Sequence, residues 1–199
     1  MDLVVAALTF AAIFVVELPD KTFIATLVLS TRFRPVLVWV GVGLAFAVQT
    51  GIAVGLGTAA SFLPDPAVQV AAAAMFTLGG MILAREARTA DEQEAAAEGE
   101  FAARAGEAHG AKVILTSFLV LFAAEWGDLS QLLTLSLVAR YDDPVSVFVG
   151  AWGALLAVSA LAVLVGRVLL SRVRLSVLHY LGAGVCLLMA GLTLWEIVS

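Results

Sequence analysis

Cysteine occurs once in the 199 residues, at Cys186. One thiol excludes an internal disulfide and any thiolate metal cluster. Histidine is nearly as scarce: His109 falls in a polar segment and His179 opens the last apolar run. Both are expected at the surface or the membrane interface rather than as ligands. Sustained alternation of apolar and polar residues is missing too. A transmembrane β-barrel needs that alternation, and runs such as VAALTFAAIFVV at 5–16 exclude it. No basic segment precedes the first run, only Met1 and Asp2, so this run is not expected to be a cleaved signal peptide.

Apolar residues dominate instead. They make up 62% of the chain and the mean hydropathy is +1.04, against roughly 45–50% apolar in soluble domains. One small core could not hide that surface from water, so lipid must cover it. A spanning helix needs roughly 20 mainly apolar residues. Such stretches fall at about 3–30, 35–60, 66–85, 112–139, 144–167 and 174–197. The expected fold is an all-α membrane protein with six transmembrane helices.

The basic residues sort by side on that reading. Arg32, Arg34, Arg85, Arg88, Arg104, Lys112, Arg167, Arg172 and Arg174 lie in loops after the odd-numbered spans, and only Arg140 lies opposite. Because basic loops stay cytoplasmic, both termini are expected outside and the 86–111 loop inside. That loop, rich in Ala and Glu, is expected to be a solvated, partly helical acidic linker. It holds much of the acid behind the formal charge of −5.

The chain also repeats. ELPDKT at 17–22 aligns with EWGDLS at 125–130, and RPVLVWVG at 34–41 with DPVSVFVG at 143–150. The offsets are 108 and 109 residues. Two matches in order argue for a duplicated three-helix unit, residues 1–85 and 112–199. An odd number of helices per unit makes the copies enter the membrane from opposite sides, as inverted repeats with a site between them.

The repeated motif sets charges mid-span. Glu17 and Asp20 are three residues apart, as are Glu125 and Asp128, a spacing that puts each pair on one helical face. Thr22 and Ser130 add hydroxyl oxygens, with Gln49 and Gln131 as further polar candidates nearby. Each ionised acid at the bilayer centre costs at least about 2.5–3.5 kcal/mol. Protonation or a bound cation relieves that cost, and a site that alternates between the two would use both. An all-oxygen donor set suits Ca²⁺ or Mn²⁺; Mg²⁺ dehydrates reluctantly, and zinc and copper prefer His or Cys. Pro19 and Gly127 occupy the same motif position and can break each helix, freeing carbonyl oxygens. Lys21 is expected to pair with Asp128 or Glu125 and lower the site charge. Trp126 either walls the site or simply packs. Trp39, Trp152 and Trp195 look like lipid or interfacial anchors, and the glycines at 41, 43, 51, 55 and 57 read as close-packing positions.

These duplicated motifs resemble the E-x-G-D-[KR]-[TS] signature of the Golgi, chloroplast and bacterial calcium/manganese exchanger family, part of the lysine-exporter superfamily. The resemblance covers the whole chain and implies export of Mn²⁺ or Ca²⁺ from the cytoplasm against protons. Its motif positions carry over to Glu17, Asp20, Lys21 and Thr22, and to Glu125, Asp128 and Ser130. Pro19 replaces the usual glycine and Leu129 the usual basic residue. Expected partners are the metal ion, protons and the bilayer of a bacterial inner membrane. No nucleic acid and no resident cofactor are expected, and a homodimer is allowed. Two rival readings are an exporter of amino acids or small organic cations, with a roomier pocket, and an intramembrane aspartyl protease using Asp20 and Asp128. The protease reading lacks the usual G-x-G-D context. A structural adaptor would leave the repeated acids unexplained.

Overall fold

A computed structural model describes residues 1–18, 20–60, 65–104, 108–172 and 175–198; within these, side chains 65–68, 90–95, 98, 165–172, 175, 178 and 196–198 are not described. The described residues form helices and no strand: α1 (Leu3–Glu17), α2 (Lys21–Arg32), α3 (Pro35–Ala60), α4 (Asp65–Glu86), α5 (Ala90–Arg104), α6 (Lys112–Ala124), α7 (Leu129–Tyr141), α8 (Pro144–Arg172) and α9 (Leu175–Val198).

The apolar runs at 3–30 and 112–139 are each two helices. α1 and α2 meet at 73°, and α6 and α7 at 74°. Among the described residues, α3 and α8 are long and apolar enough to cross a membrane, and each bent pair passes the same test if counted as one span. Large side chains such as Leu44, Leu56, Leu78, Leu115 and Leu188 are exposed, as a surface facing lipid requires. Inside, Ile13, Leu29, Val42, Phe76, Leu121 and Leu137 belong to one contiguous core.

Packing repeats at the sequence offset. α1 lies on α8, and α3 on α6. A Cβ added to Gly41 would collide with the Ile114 carbonyl and lie 2.9 Å from Ser117 Cβ; one added to Gly150 would collide with the Ala6 carbonyl and lie 2.9 Å from Thr9 Cβ. Gly41 and Gly150, Ile114 and Ala6, and Ser117 and Thr9 are all repeat-related. At the crossing of α3 and α8, Trp152 Nε1 donates to the Gly43 carbonyl at 3.0 Å. These two residues are themselves repeat-related, and the contact makes Trp152 a helix-to-helix strut rather than a lipid anchor. Of the glycines read as packing positions, Gly51 and Gly55 have open space around them.

The offset grows from 108 to 109 inside the second bent helix, because α7 has 13 residues and α2 has 12. α7 then ends on Asp142 in the left-handed region, at φ 49°. That conformation costs an ordinary L-residue about 1–2 kcal/mol, and Asp less than most. Asp142→Val is therefore expected to cost about 1–2 kcal/mol, read as a lower thermal midpoint in detergent.

Two expectations change. The 86–111 segment is not merely a solvated linker: α5 packs against α2 and α9, and Phe101 within it is buried in the core. An Ala- and Glu-rich helix with one large apolar side chain docks by that side chain. His179 is buried rather than at a surface, with Nε2 3.9 Å from Glu86 Oε2. His109 is exposed, as expected.

Candidate functional site

The two helix breaks build the site. Glu17 is the last residue of α1, and Glu125 caps the C-terminus of α6. Asp20 and Asp128 cap the N-termini of α2 and α7, accepting from Thr22 N (3.2 Å) and Ser130 N (3.4 Å). The two acids of a motif therefore do not share one helical face, as their spacing suggested. They sit on either side of a sharp bend between two helices, with Asp20 N donating to the Glu17 carbonyl and Asp128 N to the Glu125 carbonyl, both at 3.0 Å. Electrostatics sort them further. Each Asp sits at the positive end of a helix dipole, where an anion is favoured, and each Glu at a negative end, where a cation is favoured.

Glu17 and Glu125 are both 1% exposed. The Thr22 hydroxyl donates to Glu17 Oε1 at 2.9 Å, and its repeat mate Ser130 donates to Glu125 Oε2 at 3.4 Å. The other oxygens, Glu17 Oε2 and Glu125 Oε1, are buried without a hydrogen-bond partner. A buried, half-satisfied carboxylate is expensive. Two of them in mirrored positions mark places where something positive belongs.

One carboxylate oxygen each from Glu17, Asp20 and Glu125 lie within 4.8 Å of one another. Oxygens on opposite sides of a Ca²⁺ ion are about 4.6–5.2 Å apart, twice the bond length of roughly 2.3–2.6 Å. The three can therefore converge on one ion. Asp128 stands outside this group, with Oδ1 3.8 Å from Lys21 Nζ. Lys21 is half exposed, so it holds Asp128 from the open side.

At the second break the Glu125 carbonyl is occupied. Gln131 Nε2 donates to the Glu125 carbonyl at 2.7 Å, which already accepts from Asp128 N, and Gln131 Oε1 accepts from Gly127 N at 3.3 Å. Gln131 thus ties the break together. Gly127 takes φ +78°, a conformation open to glycine and strained for other residues. Pro19, the matching position, lies outside the described residues. Trp126 is exposed and packs on Phe122, ring centroids 5.2 Å apart, so it does not wall the carboxylates.

Gln49 is buried on α3. Its Nε2 donates to the Phe122 carbonyl at 2.9 Å, while Oε1 has no partner. With Thr50, Glu125, Ser130, Gln131 and Thr134 it lines a cavity of about 10 Å³, roughly the smallest space that holds one water.

The sequence reading missed Glu86. It ends α4, and partial burial raises its carboxyl above the ordinary range, followed by the nearby Asp20 charge. His179 and Lys21 oppose that rise. A run of charge therefore leads from the motif acids to the end of α4. Glu86 sits where an apolar run meets a polar loop, so nothing in its sequence neighbourhood separates it from other boundary acids.

The chain is 30% identical over 213 residues to the chloroplast GDT1-like protein 1 of Oryza sativa subsp. indica, covering 97% of this chain and 62% of that protein. It therefore spans less than two thirds of that plant relative. It is 30% identical over 192 residues to the GDT1-like protein sll0615 of Synechocystis, covering 92% and 93% of the two chains. It is also 30% identical over 190 residues to a Vibrio cholerae protein whose name proposes a manganese exporter, covering 94% and 88%. No solved structure matches. Two segments, residues 5–91 and 113–199, match the family described as divalent cation/proton antiporter GDT1, one in each half with its own broken helix. The chain belongs to that family.

Proposed function

We propose that this protein exports Mn²⁺ or Ca²⁺ from the cytoplasm in exchange for protons, at a site formed by Glu17, Asp20 and Glu125 with hydroxyls from Thr22 and Ser130. The observation that carries this reading is the mirrored pair of buried glutamates, each with an unpartnered oxygen, converging with Asp20 within 4.8 Å. Cation or proton satisfies the same oxygens, so one must leave as the other arrives. The cavity of about 10 Å³ beside Glu125 suits a bare ion and not an amino acid. Asp128, held by Lys21, is poorly placed to act with Asp20 as a protease dyad.

The reading includes six spans arranged as two inverted three-helix repeats, residues 1–85 and 112–199, with the termini outside and 86–111 inside. The repeated glycine contacts and the two family matches support it. The halves also differ in a way that suits alternating access. α9 packs on α1 and α4 on α7, whereas among the described residues the repeat-related pairs, α4 with α6 and α9 with α2, make no comparable contact. Rocking the halves would exchange one set for the other.

The test is ion flux in proteoliposomes holding the purified chain. An imposed pH gradient is expected to drive Mn²⁺ or Ca²⁺ against its own gradient, and collapsing it with a protonophore to stop the uphill movement. Flux of neither ion, with or without the gradient, would overturn the proposal.

A further inference from the structure

The two flanks of the site are not equivalent, although the helices around them are. On one side, Gln49 and Gln131 stand beside Glu125. Their repeat mates on the other side are Val158 and Phe23, which pack together in an apolar cluster with Ala162. Both positions are buried: Gln49 is 2% exposed and Val158 1%. Duplication has kept the frame and the buried hydroxyls, since Thr50, Ser130 and Thr134 on one flank answer to Ser159, Thr22 and Thr26 on the other; what differs is that one flank adds two amides where the other has Val158 and Phe23.

Gln49 is held for a purpose that packing does not explain. Phe122 lies in the last turn of α6, where carbonyls lack a partner within the helix. Only the amide nitrogen of Gln49 can bond that carbonyl, so the 2.9 Å contact fixes which way the amide faces. Its oxygen is left buried without a donor, in the side chain that lines the same cavity as Glu125. Glu125 Oε1 is likewise unpartnered. The cavity is thus lined by two side chains, one carboxyl and one amide, each with an oxygen that lacks a partner.

We propose that the Gln49 side-chain oxygen is a direct, one-sided ligand of the transported divalent cation, which sits toward Glu125 rather than midway between the halves. This rests on the exporter reading above and adds a ligand from α3 to a donor set otherwise drawn from the helix breaks. A neutral oxygen raises coordination number without adding charge. It therefore favours Ca²⁺, which takes six to eight oxygens, over an ion that keeps its waters. It also favours hard ions over soft ones.

The decisive variant is Gln49→Met, similar in size but with a thioether in place of the amide. Equilibrium binding of Ca²⁺, Mn²⁺ and Cd²⁺ to the purified full chain is compared with flux of the same ions in proteoliposomes. Gln49→Met is expected to weaken Ca²⁺ binding about tenfold, Mn²⁺ binding less, and to raise Cd²⁺ binding relative to both. Calcium KM should rise with kcat little changed. Gln49→Glu, which keeps a hard oxygen, is expected to retain the preference for Ca²⁺ over Cd²⁺. If Gln49 serves only the Phe122 carbonyl, Gln49→Met will alter all three ions by one common factor, and the inference fails. It also fails if Gln49→Glu loses the preference as Gln49→Met does. Absence of Ca²⁺ and Mn²⁺ binding by the unaltered chain would instead overturn the exporter reading itself.

Discussion

Glu17→Gln and Glu125→Gln are each expected to abolish proton-driven cation flux, by about 100-fold or more, while leaving the protein at least as stable. The amide matches the carboxyl in shape and still accepts from the Thr22 or Ser130 hydroxyl. It cannot carry the negative charge that holds a divalent ion, and it cannot trade a proton for one. Removing a buried, half-satisfied charge relieves a desolvation cost, so thermal midpoints should hold or rise. The double variant should be no worse than either single one, because groups that act as a unit are not additive. Asp20→Asn belongs with them, since Asp20 supplies the third oxygen. Asp128→Asn should do less: Asn caps α7 nearly as well as Asp, and Asp128 stands outside the three-oxygen group. Flux measured beside thermal stability checks the set. Normal flux in Glu17→Gln or Glu125→Gln would remove the site assignment.

Much of this site could be read from the chain itself, for one physical reason. A carboxylate in an apolar run of membrane length is costly enough that it must be used. Glu17, Asp20, Glu125 and Asp128 stood out on that ground, and the offset of 108 residues between their motifs paired them. What sequence hid was the route by which they meet. Continuous hydrophobicity over 3–30 and 112–139 conceals a break, although Asp at 20 and 128 is a good N-cap. The spacing of three then reads as one helical face when the chain in fact bends by 73° or 74° between the two acids. Phe101 was hidden because one aromatic in an Ala- and Glu-rich segment carries no periodicity. Glu86 and His179 were hidden because their role depends on where α4 and α9 end relative to α2, a tertiary fact. The contrast between Gln49 and Val158 emerges only when α3 and α8 are set in register.

Gly41→Ala and Gly150→Ala are expected to destabilise the protein strongly and to nearly equal degree. At both positions the new methyl would meet a backbone carbonyl, of Ile114 or Ala6, and the Cβ of Ser117 or Thr9 at 2.9 Å. Overpacking costs about 1–3 kcal/mol where side chains can yield. Backbone cannot swing aside as a side-chain tip can, so each substitution should reach the upper end of that range. Gly51→Ala and Gly55→Ala provide the contrast, because nothing lies within 4 Å of the added atom and Ala favours a helix over Gly by about 0.5–1 kcal/mol. Thermal midpoints of the four variants in one detergent check this. A large loss at 41 beside none at 150 would mean the halves do not pack as copies of one unit. The consequence reaches transport as well. α6 and α1, the helices pushed away, end in Glu125 and Glu17, so a shift at either glycine moves one carboxylate relative to the other. Where Gly41→Ala or Gly150→Ala still folds, its metal affinity should fall even though the glycine touches no ion.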